Sequence, residues 1–160
     1  MIEIRAAEPG DAAMLAAIDA VTWTTANSPA GLPTEPRPFF RAEEDPADTL
    51  VAVLGGRVVG YAKLRSMRSL PSHAHVLEIN GLAVAPDAAG QGIGKTLVEA
   101  AVAEAERRGA RKVSLRVLGT NAMARRLYAG CGFVEEGVLR AEFFLDGRYV
   151  DDVFMARFLR

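Results

Sequence analysis

Cysteine, histidine and tryptophan are scarce in this chain of 160 residues, which contains one cysteine, two histidines and one tryptophan. The single cysteine, Cys131, excludes an internal disulfide framework and is typical of a protein from a reducing compartment. Neither sign of charge is in excess, since 19 Lys and Arg residues stand against 20 Asp and Glu residues. The net charge of −1 argues against broad binding to nucleic acid or to an anionic membrane, because both need a basic surface.

Long apolar runs are also lacking. No stretch approaches the roughly 20 apolar residues that cross a bilayer, and the opening residues 1–5 do not resemble the apolar part of a signal peptide. The composition, 50% hydrophobic and 24% charged, is that of an ordinary globular domain. We therefore expect a cytoplasmic protein with one domain, residues 1–160, that is long enough to bury a substantial core.

Hydrophobic periodicity predicts alternating strands and helices along the chain. The first helix should open at Pro9 to Asp11 and place Met14, Leu15, Ile18 and Val21 on one face. Gly55-Gly56 and Asp146-Gly147 predict hairpin turns. The other predicted elements are strands at 2–6, 49–54, 57–64, 74–84, 111–117, 133–143 and 149–158, a short helix near 38–45, and helices from about 92 and at 121–129. This order predicts an α+β fold, a three-layer sandwich with about four helices around a mixed sheet of about seven strands.

A glycine-rich loop between a strand and a helix is the most informative stretch. It lies within residues 82–97, where glycines stand at positions 90, 92 and 94. Glycine lets backbone amides turn toward one point, and a helix N-terminus adds free N–H donors and partial positive charge. This pattern predicts an anion cradle, most commonly for a phosphate. The alternative is a turn that binds nothing.

Two nucleotide-binding motifs fit this loop poorly. Gly94-Lys95-Thr96 could end a P-loop, but the first glycine of that motif would fall on Ala89. The dinucleotide motif needs G-x-G-x-x-G after the first strand of its unit, whereas this loop reads G-x-G-x-G and lies past the middle of the chain.

The loop resembles the pyrophosphate loop of the GCN5-related N-acetyltransferase (GNAT) superfamily, which reads [RQ]-x-x-G-x-[GA]. In this family a bulged strand leads into the loop, whose amides hold the pyrophosphate of acetyl-coenzyme A. Ala89 stands where the family has Arg or Gln, and Gln91 or Lys95 could take over that contact. The resemblance implies acetyl-CoA as acyl donor and a pyrophosphate site formed by Ala89, Gly90, Gln91, Gly92, Ile93, Gly94 and Lys95.

A second segment, residues 121–133, resembles the family pattern N-x-x-A-x-x-L-Y-x-x-x-G-F. Residues 133–155 are similar to the ribosomal-protein-acetyltransferase-like and amino-acid acetyltransferase branch. The resemblance implies that Tyr128 lies beside the thioester sulfur as a general acid, and that Asn121, Ala124 and Arg126 contact coenzyme A. It also implies a homodimer. The alternatives are that Tyr128 is a core residue, that Asn121 is only a helix cap and that Arg126 is only solvated.

Transfer of an acetyl group to an amine requires a base, because an aliphatic amine with a pKa of about 10.4 is mostly protonated at neutral pH. Glu78 lies in an otherwise apolar strand, where burial disfavours its ionised form and suits it to this role. The alternative is a glutamate on a solvated strand surface. Asn80-Gly81 predicts a β-bulge that would leave the amides around Ala83, those of Leu82 and Val84, free for the acetyl carbonyl and the pantetheine arm.

The acceptor site is the least defined by sequence. The irregular region 24–38 is where substrate-specific residues are expected, and Lys63, Arg65 and Arg68 could attract a carboxylate. No metal is expected, because His73 and His75 lack a third ligand at a suitable spacing. The candidate acceptor residues are Trp23, Glu35, Phe39, His75 and Asn80.

We expect an acetyltransferase in which a primary amine, such as that of an amino acid, attacks acetyl-CoA directly in a ternary complex. Acetylation of a protein N-terminus is the second possibility. A module that binds acyl-CoA without catalysis is the third.

Overall fold

The computed structural model describes residues 1–30, 37–66 and 70–160. Within these ranges, seven strands form one mixed sheet, as predicted, and their order in the sheet is β1-β2-β3-β4-β5-β7-β6. Among the strand pairings of the described residues, the β4–β5 pairing is parallel and the other five are antiparallel. The strands are β1 (Ile2–Ala6), β2 (Thr49–Leu54), β3 (Arg57–Ser66), β4 (Val76–Val84), β5 (Lys112–Leu118), β6 (Val134–Leu145) and β7 (Arg148–Phe158), and the α-helices are α1 (Ala12–Thr22), α2 (Ile93–Arg107) and α3 (Ala122–Gly130).

Helices α1 and α2 lie on opposite faces of the sheet. Neighbouring residues of a strand point to opposite faces; Gly60 of β3 lies against Leu97 of α2, whereas Tyr61 bonds to Asp19 of α1. The sheet is thus covered on both sides, and the three-layer arrangement is confirmed. Among the described residues, no helix is both long and apolar enough to cross a membrane.

The core is densest where α2 packs on the sheet, and Leu97 has none of its surface exposed. We expect Leu97→Ala to lower the free energy of unfolding by about 2–5 kcal/mol, because it removes buried methyl groups and leaves a cavity. Urea denaturation followed by circular dichroism measures the loss. Leu70→Ala is the matched control, since Leu70 is 60% exposed and its truncation should change stability by less than about 0.5 kcal/mol. Equal losses in the two variants would contradict the assigned core.

The short helix expected near 38–45 does not form, so the described chain has three α-helices where about four were expected. Pro46 disfavours helical backbone at Asp45, and the residues before it are too few to sustain an isolated helix. A single 3₁₀ turn follows instead, Pro46–Asp48, in which the side chain of Asp45 accepts from the amide of Ala47. The segment therefore leads irregularly into β2.

The apolar face of α1 is narrower than its periodicity predicts. Leu15 and Ile18 are buried, as expected, but Met14 is 40% and Val21 64% exposed. The helix has 11 residues and packs on the inner strands β3 and β4, toward which it turns only a narrow strip. Of the four apolar residues predicted on one face, only Leu15 and Ile18 are therefore buried.

A gap opens between the two central strands of the sheet. Strands β4 and β5 pair only from Val76 to Glu78, opposite residues 112–114, although both strands continue beyond these pairs. On the other side of β4, Lys63 is opposite Gly81 and Leu64 is opposite Ile79, so Asn80 is an extra residue in the ladder. The predicted bulge is thus confirmed. It bends β4 at the level where β5 parts from it.

Candidate active site

The gap widens into a cleft of about 1800 Å³. Its walls come from α1, β3, β4, β5 and α3 and from the irregular segment before β2. Both catalytic candidates, Glu78 and Tyr128, line this one cleft. The other predicted residues on its walls are Trp23, Phe39, Lys63, Arg65, Asn80, Leu82, Ala83, Val84, Gly94, Asn121 and Ala124.

Two backbone amides of β4 face the gap. The amide of Ala85 donates to the carbonyl of Val59 at 2.7 Å, so it points toward β3. Backbone groups alternate along a strand, so the amides of Leu82 and Val84 point the other way. On that side β5 has already separated from β4. These donors are therefore available to an extended ligand inside the sheet.

The glycine loop lies at the end of this gap. Gly90 has φ +81° and Gly92 has φ +76°, a left-handed conformation that favours glycine. Helix α2 begins directly afterwards without a side-chain cap. Among the described residues, no acceptor receives the amides of residues 90–95. The loop therefore presents a row of free donors at a positive helix end, which suits a phosphate.

The side chains of the loop play a smaller part. Ala89, Gln91 and Lys95 are exposed, and Lys95 reaches Glu99 only at 4.0 Å. Gly94 serves a different purpose, since a Cβ there would lie 3.4 Å from Cδ2 of Leu127. Position 94 thus lies where α2 and α3 pack together beside the cleft.

Helix α3 brings Tyr128 to the cleft. Tyr128 is 8% exposed, and burial raises the pKa of its phenol to about 12, with a smaller contribution from Cys131. The Tyr128 hydroxyl forms no hydrogen bond with any described residue. Every fully buried side-chain polar atom of the described residues has a hydrogen-bond partner, so the Tyr128 oxygen is not fully buried. Because Tyr128 lines the cleft, its hydroxyl is exposed there. It can hold a proton and donate it there. Asn121 caps the same helix, since its side chain accepts from the amide of Ala124 at 3.2 Å.

Glu78 is buried, with 5% of its surface exposed, and forms an ion pair with Arg65 across the β3–β4 ladder. A second buried carboxylate, Asp152, is paired with Arg116, whose Nε lies 2.9 Å from Oδ2 of Asp152. Sequence reasoning missed Asp152 and Arg116. The available signal was two adjacent aspartates in an otherwise apolar stretch of β7.

Asp19 and Tyr61 were also missed. The Tyr61 hydroxyl donates to Oδ1 of Asp19 at 2.6 Å, and Nε1 of Trp23 donates to the same oxygen at 2.7 Å. Burial, together with the charge of Asp19, raises the pKa of Tyr61, which keeps its hydroxyl protonated. A sequence signal existed, because Asp19 and Trp23 are four residues apart and thus neighbours on one helix face.

Some candidates lie away from the cleft. His75 is exposed just before β4, at the end of the strand opposite the bulge, and its carbonyl accepts from the amide of Arg111. Arg126 is exposed on α3 and does not line the cleft. Glu35 and Arg68 lie outside the described residues. No group of three His, Cys, Asp or Glu side chains within the described ranges is placed to hold a metal ion.

Comparisons with known proteins agree with this geometry. Residues 15–133 match the model of the acetyltransferase (GNAT) family. The chain is 38% identical over 109 residues to a phosphinothricin N-acetyltransferase of Alcaligenes faecalis, a match that covers 68% of this chain and 55% of that protein. It is 42% identical over 69 residues to a spermidine N(1)-acetyltransferase of Vibrio cholerae, covering 42% of this chain and 40% of that protein. The matched region thus spans about half the length of these relatives or less.

Solved structures share the whole fold. The protein smu.2055 of Streptococcus mutans UA159 superposes with a TM-score of 0.83 at 28% identity over 99% of both chains. A ribosomal-protein-alanine N-acetyltransferase of Brucella melitensis gives 0.79 at 28% identity over 98% of this chain and 99% of that chain. A phosphinothricin acetyltransferase of Sinorhizobium meliloti, solved in complex with AcCoA, gives 0.79 at 24% identity over 99% and 88%. The resemblance inferred from the sequence is confirmed: this chain belongs to the acetyltransferase (GNAT) family.

Proposed function

We propose that the chain is an acetyl-CoA-dependent N-acetyltransferase that acts on the primary amine of a small molecule such as an amino acid. One observation carries the proposal: free amides of the glycine loop, free amides of β4 and the hydroxyl of Tyr128 meet along one gap in the sheet. The names of two relatives support a small acceptor, since phosphinothricin and spermidine are both small amines.

The donor fits the gap from end to end. Its pyrophosphate would lie on the amides of the loop at residues 90–95, and its pantetheine arm would extend along β4. The amides of Leu82 and Val84 would hold the pantetheine arm and polarise the thioester carbonyl, because hydrogen-bond donors aimed at a developing oxyanion stabilise it. Tyr128 would then give its proton to the departing thiolate.

The acceptor enters from the side of α1 and the segment before β2, which both line the cleft. Glu78 takes the proton that the amine must lose, directly or through water, and Arg65 holds the carboxylate in place. The neutral amine attacks the thioester carbonyl and forms the C–N bond of the tetrahedral intermediate. The C–S bond then breaks, the thiolate takes the proton of Tyr128, and the second proton of the attacking nitrogen returns to the Tyr128 oxygen directly or through water. The described cleft offers no cysteine for a covalent intermediate, and Cys131 is buried, so we propose direct transfer.

We expect Glu78→Gln to lower kcat/KM for the acceptor by about a hundredfold or more, since general-base catalysis contributes roughly 10²–10⁴-fold. Binding of acetyl-CoA, measured by calorimetry, should be retained. Glu136→Gln is the matched control, because Glu136 pairs with Lys112 at 2.8 Å and does not line the cleft. Equal activity in the two variants would assign the proton transfer to another group.

A protein N-terminus is the second candidate acceptor, favoured by the structural similarity to a ribosomal-protein-alanine N-acetyltransferase. Thiol release from acetyl-CoA tests the function directly. The panel would contain free amino acids, polyamines, phosphinothricin and short peptides with free N-termini, together with an amine-free control. Release that depends on a small amine supports the proposal, and release with peptides alone supports the second candidate. Donor binding without release with any amine would indicate a binding module.

A further inference from the structure

Asp19 is a carboxylate of the cleft that no cation neutralises in the described part of the chain. Its Oδ1 accepts from two neutral donors, Tyr61 and Trp23, and its Oδ2 accepts from none of the described residues. The two buried carboxylates of the cleft, by contrast, each have an arginine partner. A charge in a partly buried place is costly unless a partner compensates for it. Asp19 thus has one oxygen left for a positively charged ligand.

The position of Asp19 is set by the bulge of β4. The ring of Tyr61 lies over Gly81, where a Cβ would be 3.2 Å from its Cε2 and 3.7 Å from its hydroxyl oxygen. The hydroxyl in turn holds the carboxylate of Asp19 at 2.6 Å. Asp19 therefore lies on the α1 side of the sheet at the level of Gly81, the residue that precedes Leu82.

Aromatic rings surround this carboxylate. Trp23 and Tyr61 both bond to it, and the ring of Phe39 packs edge-on against Tyr61 with 5.0 Å between centroids. The ring of Phe39 already receives one cation, since Nζ of Lys63 lies 4.6 Å from its centroid. Trp23 and Tyr61 turn their N–H and O–H edges to Asp19, so the charge of the carboxylate itself is what attracts an ammonium group. The aromatic surroundings strengthen this attraction, because they limit screening by water.

We infer that Asp19, flanked by Trp23, Tyr61 and Phe39, binds the ammonium form of the acceptor amine and delivers it beside Leu82. The inference rests on the proposed function and adds a specificity-determining residue to it. The acceptor is recognised in its protonated state at Asp19 and gives up its proton to Glu78 before attack. Uncharged molecules of the same shape are not retained.

Trp23 makes the inference testable without turnover, because it is the single tryptophan of the chain and touches Asp19 directly. Its fluorescence should change saturably on titration with n-butylammonium chloride. The isosteric neutral probe 1-butanol should produce no such change. In Asp19→Asn the dissociation constant for n-butylammonium should rise about tenfold or more, since a hydrogen bond to a charged group is lost together with the charge.

Two further variants distinguish binding of the ligand by Asp19 from a purely structural role of Asp19 in holding α1 on the sheet. Tyr61→Phe removes a hydrogen bond to Asp19 but leaves the charge of Asp19 in place. This variant should therefore still bind n-butylammonium, although its thermal stability should fall. Glu43→Gln removes a negative charge from an exposed position at the mouth of the cleft and should bind like the wild type. The inference is overturned if the wild type shows no saturable change, or if Asp19→Asn binds as tightly as the wild type.

Kinetics keep this test distinct from that of the proposed function. With an acceptor found in the thiol-release panel, Asp19→Asn should raise KM about tenfold or more with a smaller change in kcat. Panel activity that Asp19→Asn leaves unchanged refutes the role of Asp19 alone. A wild-type protein that binds n-butylammonium through Asp19 but releases no thiol with any amine refutes the proposed function alone.

Discussion

Replacing Tyr128 by phenylalanine should lower turnover about a hundredfold or more, while the affinity for acetyl-CoA changes by less than about twofold. The expectation follows from the position of the hydroxyl, which reaches the cleft without a partner among the described residues, so that its loss leaves none of their polar groups unpaired. The phenylalanine ring still fills the buried space and packs near Phe133, whose ring centroid is 6.0 Å away. Only the donated proton is removed.

Steady-state kinetics and calorimetry on Tyr128→Phe make the measurement, and Tyr149→Phe is the matched control because Tyr149 is 72% exposed. Burial raises the pKa of Tyr128 to about 12. The phenol therefore keeps its proton at any pH below that value, and the deficit of the variant should be present throughout the neutral and mildly alkaline range. A parallel loss of turnover and of donor affinity would make Tyr128 a packing or binding residue instead.

A similarly large effect is expected on donor binding from Gly92→Ala. A residue with a Cβ pays about 1–2 kcal/mol for the left-handed conformation at this position, and a loop that relaxes to avoid that cost no longer aims its amides at one point. We expect the dissociation constant of acetyl-CoA to rise about tenfold or more. The KM of the acceptor should be unaffected.

Gly109→Ala is the control for this loop variant. Gly109 has φ +85° at the other end of α2 and, like Gly92, has no atom within 4 Å of the place where a Cβ would stand. Both variants should lose a similar free energy of unfolding. If Gly109→Ala weakens acetyl-CoA binding as much as Gly92→Ala does, the effect comes from general destabilisation and the loop is not the phosphate site.

Sequence predicts well those parts of the fold that are determined by residues close together in the chain. The hairpin at Gly55-Gly56, the helix that ends before Gly109 and the bulge at Asn80 all depend on residues close in sequence. The glycine loop is of the same kind, which is why it led to the correct family. The roles of Tyr128, Glu78 and the loop residues in catalysis stay predictions, as does the homodimer.

The parts that failed depend on residues distant in sequence. Arg65 and Glu78 meet only because the register of β3 on β4 places them opposite each other, and Arg116 meets Asp152 only through the adjacent pairing of β5 with β7. In the sequence, Asp19 has the pattern of an ordinary polar residue on a surface helix. Its hydrogen bond to Tyr61 joins residues 42 positions apart, so the sequence gives no local sign of it. His75 was chosen for its chemistry, but it precedes β4, and the first part of that strand, residues 76–79, separates it from the bulge.

The gap between β4 and β5 gives the sheet an internal edge in addition to its two outer ones. Unpaired strand edges are an aggregation hazard, because a strand of another molecule can add to them. This edge is recessed between two strands of the same sheet, so a second protein chain cannot approach it from the side. An extended ligand with its own amide groups can enter along the strand direction, as the pantetheine arm of the proposed donor would. The same gap therefore lets an extended cofactor form hydrogen bonds with β4 and prevents a strand of another copy of the protein from doing so.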